Sequence, residues 1–149
     1  MKKQWMILMV SGLLMVSIGS FAQIRKIPSA VTDALKTQFP AAEKVEWKDK
    51  LTVFEASYLI DNKRYFASYN TKGEWQSSEA MLTEADLPEA VKDGLDKSKF
   101  KDWEKKSIAL VEKKDKTQQY RIYVERATLN KKYLYFNTDG QLAKEAITL

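Results

Sequence analysis

The chain says the same thing twice, and an internal repeat constrains architecture more than any single residue does. Ile27-Pro28-Ser29-Ala30-Val31-Thr32-Asp33-Ala34-Leu35 returns as Leu87-Pro88-Glu89-Ala90-Val91-Lys92-Asp93-Gly94-Leu95. Tyr69-Asn70-Thr71-Lys72-Gly73 returns as Phe136-Asn137-Thr138-Asp139-Gly140. One signature opens a unit of roughly 60 residues and the other closes it, in the same order both times.

Each unit starts with a helix. Pro28 and Pro88 stand where a first helical turn tolerates a missing N–H. Ala30, Val31, Ala34, Leu35 and Phe39 recur every three or four residues, which builds one apolar stripe. Ala90, Val91, Leu95 and Phe100 form the second stripe. Pro40 stops the first helix, and Gly94 weakens the second by about 1 kcal/mol relative to alanine. Strands come next. Val45 and Trp47 alternate with charges, and Phe54, Ala56, Tyr58 and Ile60 alternate with Glu55, Ser57 and Leu59. Turns at Asp61-Asn62-Lys63 and Asn70-Thr71-Lys72-Gly73 separate a strand up to Tyr69 from a last one through Trp75. The second unit offers Ile108 and Leu110, then Tyr120, Ile122 and Val124, then residues 133–136, then residues 142–147. Gly73 and Gly140 supply the positive φ that closes each turn. The expected class is α+β: two tandem repeats, each a helix packed on an antiparallel meander of about four strands. Residues 82–86 form a short polar linker, so the copies touch along a shared seam.

Residues 1–22 have the pattern of a secretory leader. Met1-Lys2-Lys3 is the positive start, residues 5–18 are the apolar core, and Ser20-Phe21-Ala22 gives the small residues that precede cleavage before Gln23. The run is short for a membrane span, so no stable membrane anchor is expected after cleavage. The first repeat then covers 23–83 and the second 84–149, and the expected location is periplasmic or secreted. The chain has no cysteine. It has no disulfide staples despite export, and its core must hold it together. Lys2 and Lys3 leave with the leader, so the formal charge falls from +5 to about +3. That balance is too small and too mixed in sign for nucleic acid.

Several stretches together resemble the PepSY-like family, also described as β-lactamase-inhibitor-like. They are residues 27–35, Phe39-Pro40-Ala41-Ala42, Val45-Glu46-Trp47, the aromatic hairpin over 54–69, and Asn70-Thr71-Lys72-Gly73. The resemblance runs over nearly all of the chain after the leader, as two copies. It implies an exported module of Bacteroidetes-type bacteria, with a helix packed on antiparallel sheet. A tandem pair is similar in topology to the β-lactamase inhibitor protein, whose concave sheet surface grips an enzyme. The resemblance carries no catalytic residues. The second copy departs from the pattern where Phe-Pro becomes Phe100-Lys101 and where Trp103 sits close to the helix end.

Chemistry is scarce. Without histidine there is no usual general base and no His-based triad. Without cysteine as well, ordinary zinc and redox sites are excluded, so neither metal nor cofactor is expected. Glu43 with Glu46, Glu84 with Asp86, and Asp93 with Asp96 are the carboxylate pairs, and all read as solvated surface. The aromatic surplus is more informative. If Phe54, Ala56, Tyr58, Ala67, Ile122, Val124, Leu134 and Phe136 face the helices, period two sends Phe66, Tyr123, Tyr133 and Tyr135 to the opposite face. Those rings either pack in the seam, or pair across strands, or meet a partner. Arg64, Arg121 and Arg126 rim them. The expected function is a non-catalytic binding module whose partner is another protein or peptide, in one form an inhibitor or regulator of an exported enzyme. Phe66, Tyr123, Tyr133, Tyr135 and Arg121 are the candidate contact residues. The alternative is a carrier or sensor of a small envelope ligand such as a peptide, lipid or glycan fragment.

Overall fold

The computed structural model describes residues 25–127 and 130–147. The expected leader at 1–22 lies outside the described residues, as do positions 23–24. Helix α1 spans Ser29–Gln38 and is followed by β1 (Glu43–Asp49), β2 (Phe54–Ile60), β3 (Lys63–Tyr69) and β4 (Trp75–Leu82). A 3-10 turn at Glu84–Asp86 leads to α2 (Glu89–Asp96), then β5 (Glu104–Lys113), β6 (Gln118–Arg126), β7 (Asn130–Asn137) and β8 (Leu142–Ile147). The strands form one eight-stranded sheet in sequence order, antiparallel throughout. The fold is α+β.

Both helices cover the same face. Val31 and Leu35 of α1 pack on Phe54, Ala56, Tyr58, Ala67 and Tyr69. Val91 and Leu95 of α2 pack on Ile108, Ile122, Val124, Leu134 and Phe136. Each Val, Leu, Ile or Phe among them, taken fully out of water, contributes about 1.5–3 kcal/mol. The two cores differ in chemistry. The first is rich in tyrosine: the Tyr58 ring lies 5.2 Å from that of Phe39 and 5.8 Å from that of Tyr65. The second is mainly aliphatic, with Trp103 edge-on to Phe100 at 5.1 Å. Tyr69 donates its hydroxyl proton to Gln38 Oε1 at 2.9 Å, and burial pushes its pKa up to about 12.

The turns obey backbone chemistry. Asp61 and Asn62 both take positive φ (50° and 61°), the pattern that a two-residue hairpin of right-handed twist requires. Gly73 and Gly140 have φ of 81° and 86°. Each glycine also meets a helix. A Cβ on Gly73 would lie 2.4 Å from the Ala30 carbonyl oxygen, and one on Gly140 would lie 2.0 Å from that of Ala90.

Three expectations need correction. The strand that begins at Trp75 runs on to Leu82, where the sequence pointed to a linker. A capped turn succeeds it, in which Asp86 accepts from the Thr83 N–H (2.8 Å) and hydroxyl (2.6 Å). The meanders do not meet along a side-chain seam. β4 pairs with β5 through the backbone, from Ser77 opposite Lys113 to Leu82 opposite Ile108. Val45 does not alternate inward with Trp47. A bulge between Glu43 and Glu46, with Lys44 at φ 50°, leaves Val45 exposed while Trp47 packs on the core.

Candidate functional site

The face of the sheet away from the helices covers no core cluster. Strand alternation builds it: every residue beside an inward one points out. Phe66 stands between buried Ala67 and core-facing Tyr65 on β3. Arg121 and Tyr123 flank buried Ile122 on β6, and Tyr133 and Tyr135 flank buried Leu134 on β7. All five candidate contact residues are therefore on this open face, and all are half-buried.

Their neighbours are set by register. Tyr123 stands opposite Tyr133, with ring centroids 5.0 Å apart and planes tilted by 37°. Arg121 stands opposite Tyr135, which in turn stands opposite Lys144. The Arg121 guanidinium lies 5.2 Å from the Tyr133 ring centroid, and the Lys144 ammonium lies 5.7 Å from that of Tyr135. These are cation–π distances. Arg121 also reaches over β5 to Glu79 on β4, donating Nη1 to Oε1 and Nη2 to Oε2, both at 2.6 Å. Beneath this pair Ala109 is 1 % exposed although it points to the open face.

Phe66 lies further along the sheet, opposite Ser57 on β2 and Glu79 on β4. Two shallow hollows of about 230 Å³ each meet at its ring. One is bounded by Glu46, Lys48, Glu55, Ser57, Arg64 and Phe66, the other by Glu55, Phe66, Glu79, Met81 and Arg121. The structure thus brings Phe66 and Arg121 to one hollow and sets the tyrosines beyond Arg121. Of the other arginines expected at the rim, Arg64 lines the first hollow and Arg126 is exposed at the end of β6. The rings do not pack at the β4–β5 junction. Two of them pair across β6 and β7.

Local charges fix the tyrosine end. The Tyr123 hydroxyl donates to Glu125 Oε1 at 2.6 Å, and the Lys131 ammonium lies 3.2 Å from the same oxygen. The two donors hold the Glu125 carboxylate below its usual pKa, Tyr123 first and Lys131 second. Bonding to that anion raises the Tyr123 pKa. The carboxylate pairs noted in the sequence sit on exposed positions of β1, the 3-10 turn and α2, and of their members Glu46 borders the first hollow. Asp86 is held below its usual pKa by the Thr83 hydroxyl and N–H. Among the described residues no group of acids is placed to hold a metal ion. No helix there is long and apolar enough to cross a membrane.

Sequence reasoning missed Glu79, Glu55 and Met81. The signal for Glu79 and Met81 was the alternation Ser77, Glu79, Met81 along β4, visible only once Trp75–Leu82 is read as a strand, whereas Glu55 stood in the outward row of β2 and was not assigned to the site.

A single antiparallel sheet, helices on one face and an open aromatic face on the other, defines an α+β architecture of the β-lactamase-inhibitor-like kind. Residues 54–144 match the family described as "Putative beta-lactamase-inhibitor-like, PepSY-like", and the chain belongs to that family. Solved structures share the fold. A BLIP-like protein from Bacteroides fragilis is 24% identical, with 82% of this chain and 86% of that one covered at a TM-score of 0.72. A putative periplasmic protein from Bacteroides eggerthii is 19% identical, covering 82% and 89% at 0.76. A DUF2874 family protein from Bacteroides uniformis is 20% identical, covering 80% and 88% at 0.75. At these identities the likeness is one of fold. No curated protein matches the chain.

Proposed function

We propose that this chain is an exported, non-catalytic protein-binding module that grips its partner with the open face of its sheet. One observation carries the reading: an aromatic and cationic array on a face that covers no core, already ordered before any partner arrives. Tyr123, Tyr133 and Arg121 hold one another through ring and cation contacts. Such rings offer large contact area at low entropic cost and keep a hydroxyl for water or a partner. On the open face a protein partner is favoured over a small envelope ligand because the two hollows there are small, while a hollow of about 470 Å³ lies between α2 and the β7–β8 turn. At about 230 Å³ each, the two on the open face fall below the roughly 300–1,000 Å³ of small-molecule sites.

The finer organisation belongs to the same proposal. Residues 23–83 and 84–149 are two copies of one helix-and-meander unit, doubled so that two four-stranded halves of one sheet present one broad surface. Matching contacts support this: Gly73 closes on Ala30 as Gly140 closes on Ala90, and all four lie in the repeated signatures. Residues 1–22 direct the chain to the periplasm or beyond the cell and are removed before Gln23. The fold neighbour from Bacteroides eggerthii, described as periplasmic, supports that location.

The test is capture from the envelope extract of the exporting cell, comparing the native protein with Tyr133→Ala/Tyr135→Ala. The double variant is expected to lose the captured partner while its melting temperature stays nearly level, since both rings are half-exposed. A large loss of stability with no partner in either sample would overturn the proposal.

A further inference from the structure

We propose that Leu51, at the tip of the β1–β2 hairpin, is a preset apolar anchor that enters an apolar pocket rimmed by carboxylates on a partner protein. This rests on the binding reading above and adds a residue to the same surface. Leu51 is 82 % exposed, more than Ile147 (75 %) or Val45 (38 %), the other exposed large apolar side chains among the described residues. Its φ is +69°, a left-handed conformation that glycine or asparagine adopts readily and leucine does not. A branched side chain kept in a strained backbone, with nothing to bury it, is an outlier that calls for a use outside the molecule.

The tip is held, not loose. Leu51 N–H donates to Asp49 Oδ1 at 2.8 Å. Arg25 donates Nη2 to the Leu51 carbonyl oxygen and Nε to Asp49 Oδ2, each at 2.6 Å. The Lys50 N–H donates to the Val53 carbonyl and the Thr52 N–H to that of Lys50, both at 2.9 Å. The Arg25 guanidinium also lies 5.0 Å from the ring centroid of Phe54, a core residue. The display of Leu51 is thereby fastened to the folded body, and a preorganised anchor loses little entropy on docking.

The tip is continuous with the open face. Lys50 pairs with Glu55 at 3.6 Å, and Glu55 lines both hollows. The surroundings set the partner's chemistry. Lys48 and Lys50 flank Asp49 at the tip and Lys26 follows Arg25 in the chain; all three are exposed, and among the described residues Lys26 and Lys48 form no ion pair. Carboxylates beside an apolar pocket complement them. A lipid surface is disfavoured, because stable membrane attachment takes more buried apolar groups than one leucine.

The experiment places a diazirine analogue of leucine at position 51 of the full chain, irradiates it in envelope extract, and repeats this with the analogue at Ile147. An equally apolar, equally exposed side chain away from the tip is thus the control. The expected result is a discrete protein adduct from position 51, absent from 147 and competed by excess native chain. Leu51→Gly is expected to weaken capture of that protein at least about ten-fold, the share one buried leucine supplies. Its melting temperature should hold or rise, because glycine relieves the positive φ. Adducts alike from both positions, adducts to lipid alone, or a Leu51→Gly variant that melts clearly lower would overturn the inference. A partner lost with Tyr133→Ala/Tyr135→Ala yet retained by Leu51→Gly would overturn it and leave the open-face reading standing. No partner with any variant would overturn both.

Discussion

A Cβ at position 94 would sit 2.0 Å from the carbonyl oxygen of Gly140. This reverses what helix propensity says about the residue. In an isolated helix Gly94→Ala would stabilise by about 1 kcal/mol. In this fold α2 and the β7–β8 turn touch backbone to backbone, so any side chain at 94 must push the turn away. Gly94→Ala is expected to destabilise by about 2 kcal/mol or more, read as a lower midpoint in urea with the slope unchanged. Asp96→Ala, exposed on the same helix, is the control and should stay within about 0.5 kcal/mol. A midpoint for Gly94→Ala at or above the native value would refute the close-packing account. The contrast also marks what a sequence discloses at this scale. The positive φ of Gly73 and Gly140 was legible because an Asn-x-x-Gly turn is local chemistry. The role of Gly94 was not, because its constraint comes from a turn far along the chain.

An ion pair on the open face ties β4 to β6 across β5. Arg121 on β6 stands opposite Ala109 on β5, and Glu79 on β4 stands opposite Val111. The bridge therefore passes over β5, where small Ala109 leaves room. Both partners are 22 % exposed and share two parallel hydrogen bonds, a geometry that lysine cannot reproduce. A double-mutant cycle with Arg121→Lys and Glu79→Gln should give a coupling of about 1 kcal/mol, at the upper end for exposed pairs. A coupling of zero would mean that the β4–β5 junction is held by its backbone ladder alone. Elements with a clear alternation were legible in advance: β2, β6 and β7 each have a buried helix-side row and an outward row. β4 was not, because all eight of its residues are half-buried and neither row stands out. β5 was legible on one row only, for the opposite reason. Ile108 packs under α2, while Ala109 and Val111 are buried on the other face, so the run looks apolar throughout. The alternation of Ile108 and Leu110 marked one row of the strand and left the second row unmarked. With β4 and β5 unread, Glu79 and the hollow beside Phe66 could not be placed.

For the molecule as a whole, titration is pushed to the two ends of the pH scale. The carboxylates of Asp49, Glu74, Asp86, Asp115, Glu125 and Glu145 are all held below their usual pKa by donors in the fold. The leading donors are Arg25, Asn70, Thr83, Thr117, Tyr123 and Lys99 respectively. A carboxylate whose folded pKa is depressed adds stability that is fully present above its unfolded pKa and is lost as pH falls through the folded one. Tyr58 and Tyr69 are shifted the other way, chiefly by burial, with Tyr69 pushed up to about 12. Their neutral form is favoured in the fold, so stability is present below the unfolded tyrosine pKa and is lost as pH rises from there through the raised folded value. No histidine exists to titrate between these limits. Melting temperature is therefore expected to be level from about pH 5 to about pH 9 and to fall on both sides. Raising the salt should shrink the contribution of the exposed pairs, including those that raise the pKa of Lys106 and Lys131, and leave the part of the alkaline limb that rests on burial of Tyr58 and Tyr69 nearly unchanged. Thermal unfolding at constant ionic strength, followed across that range at low and high salt, measures both limbs. An inflection near pH 6.5 would reveal a strongly shifted acid inside the fold. It would favour catalysis over the contact function proposed for the open face.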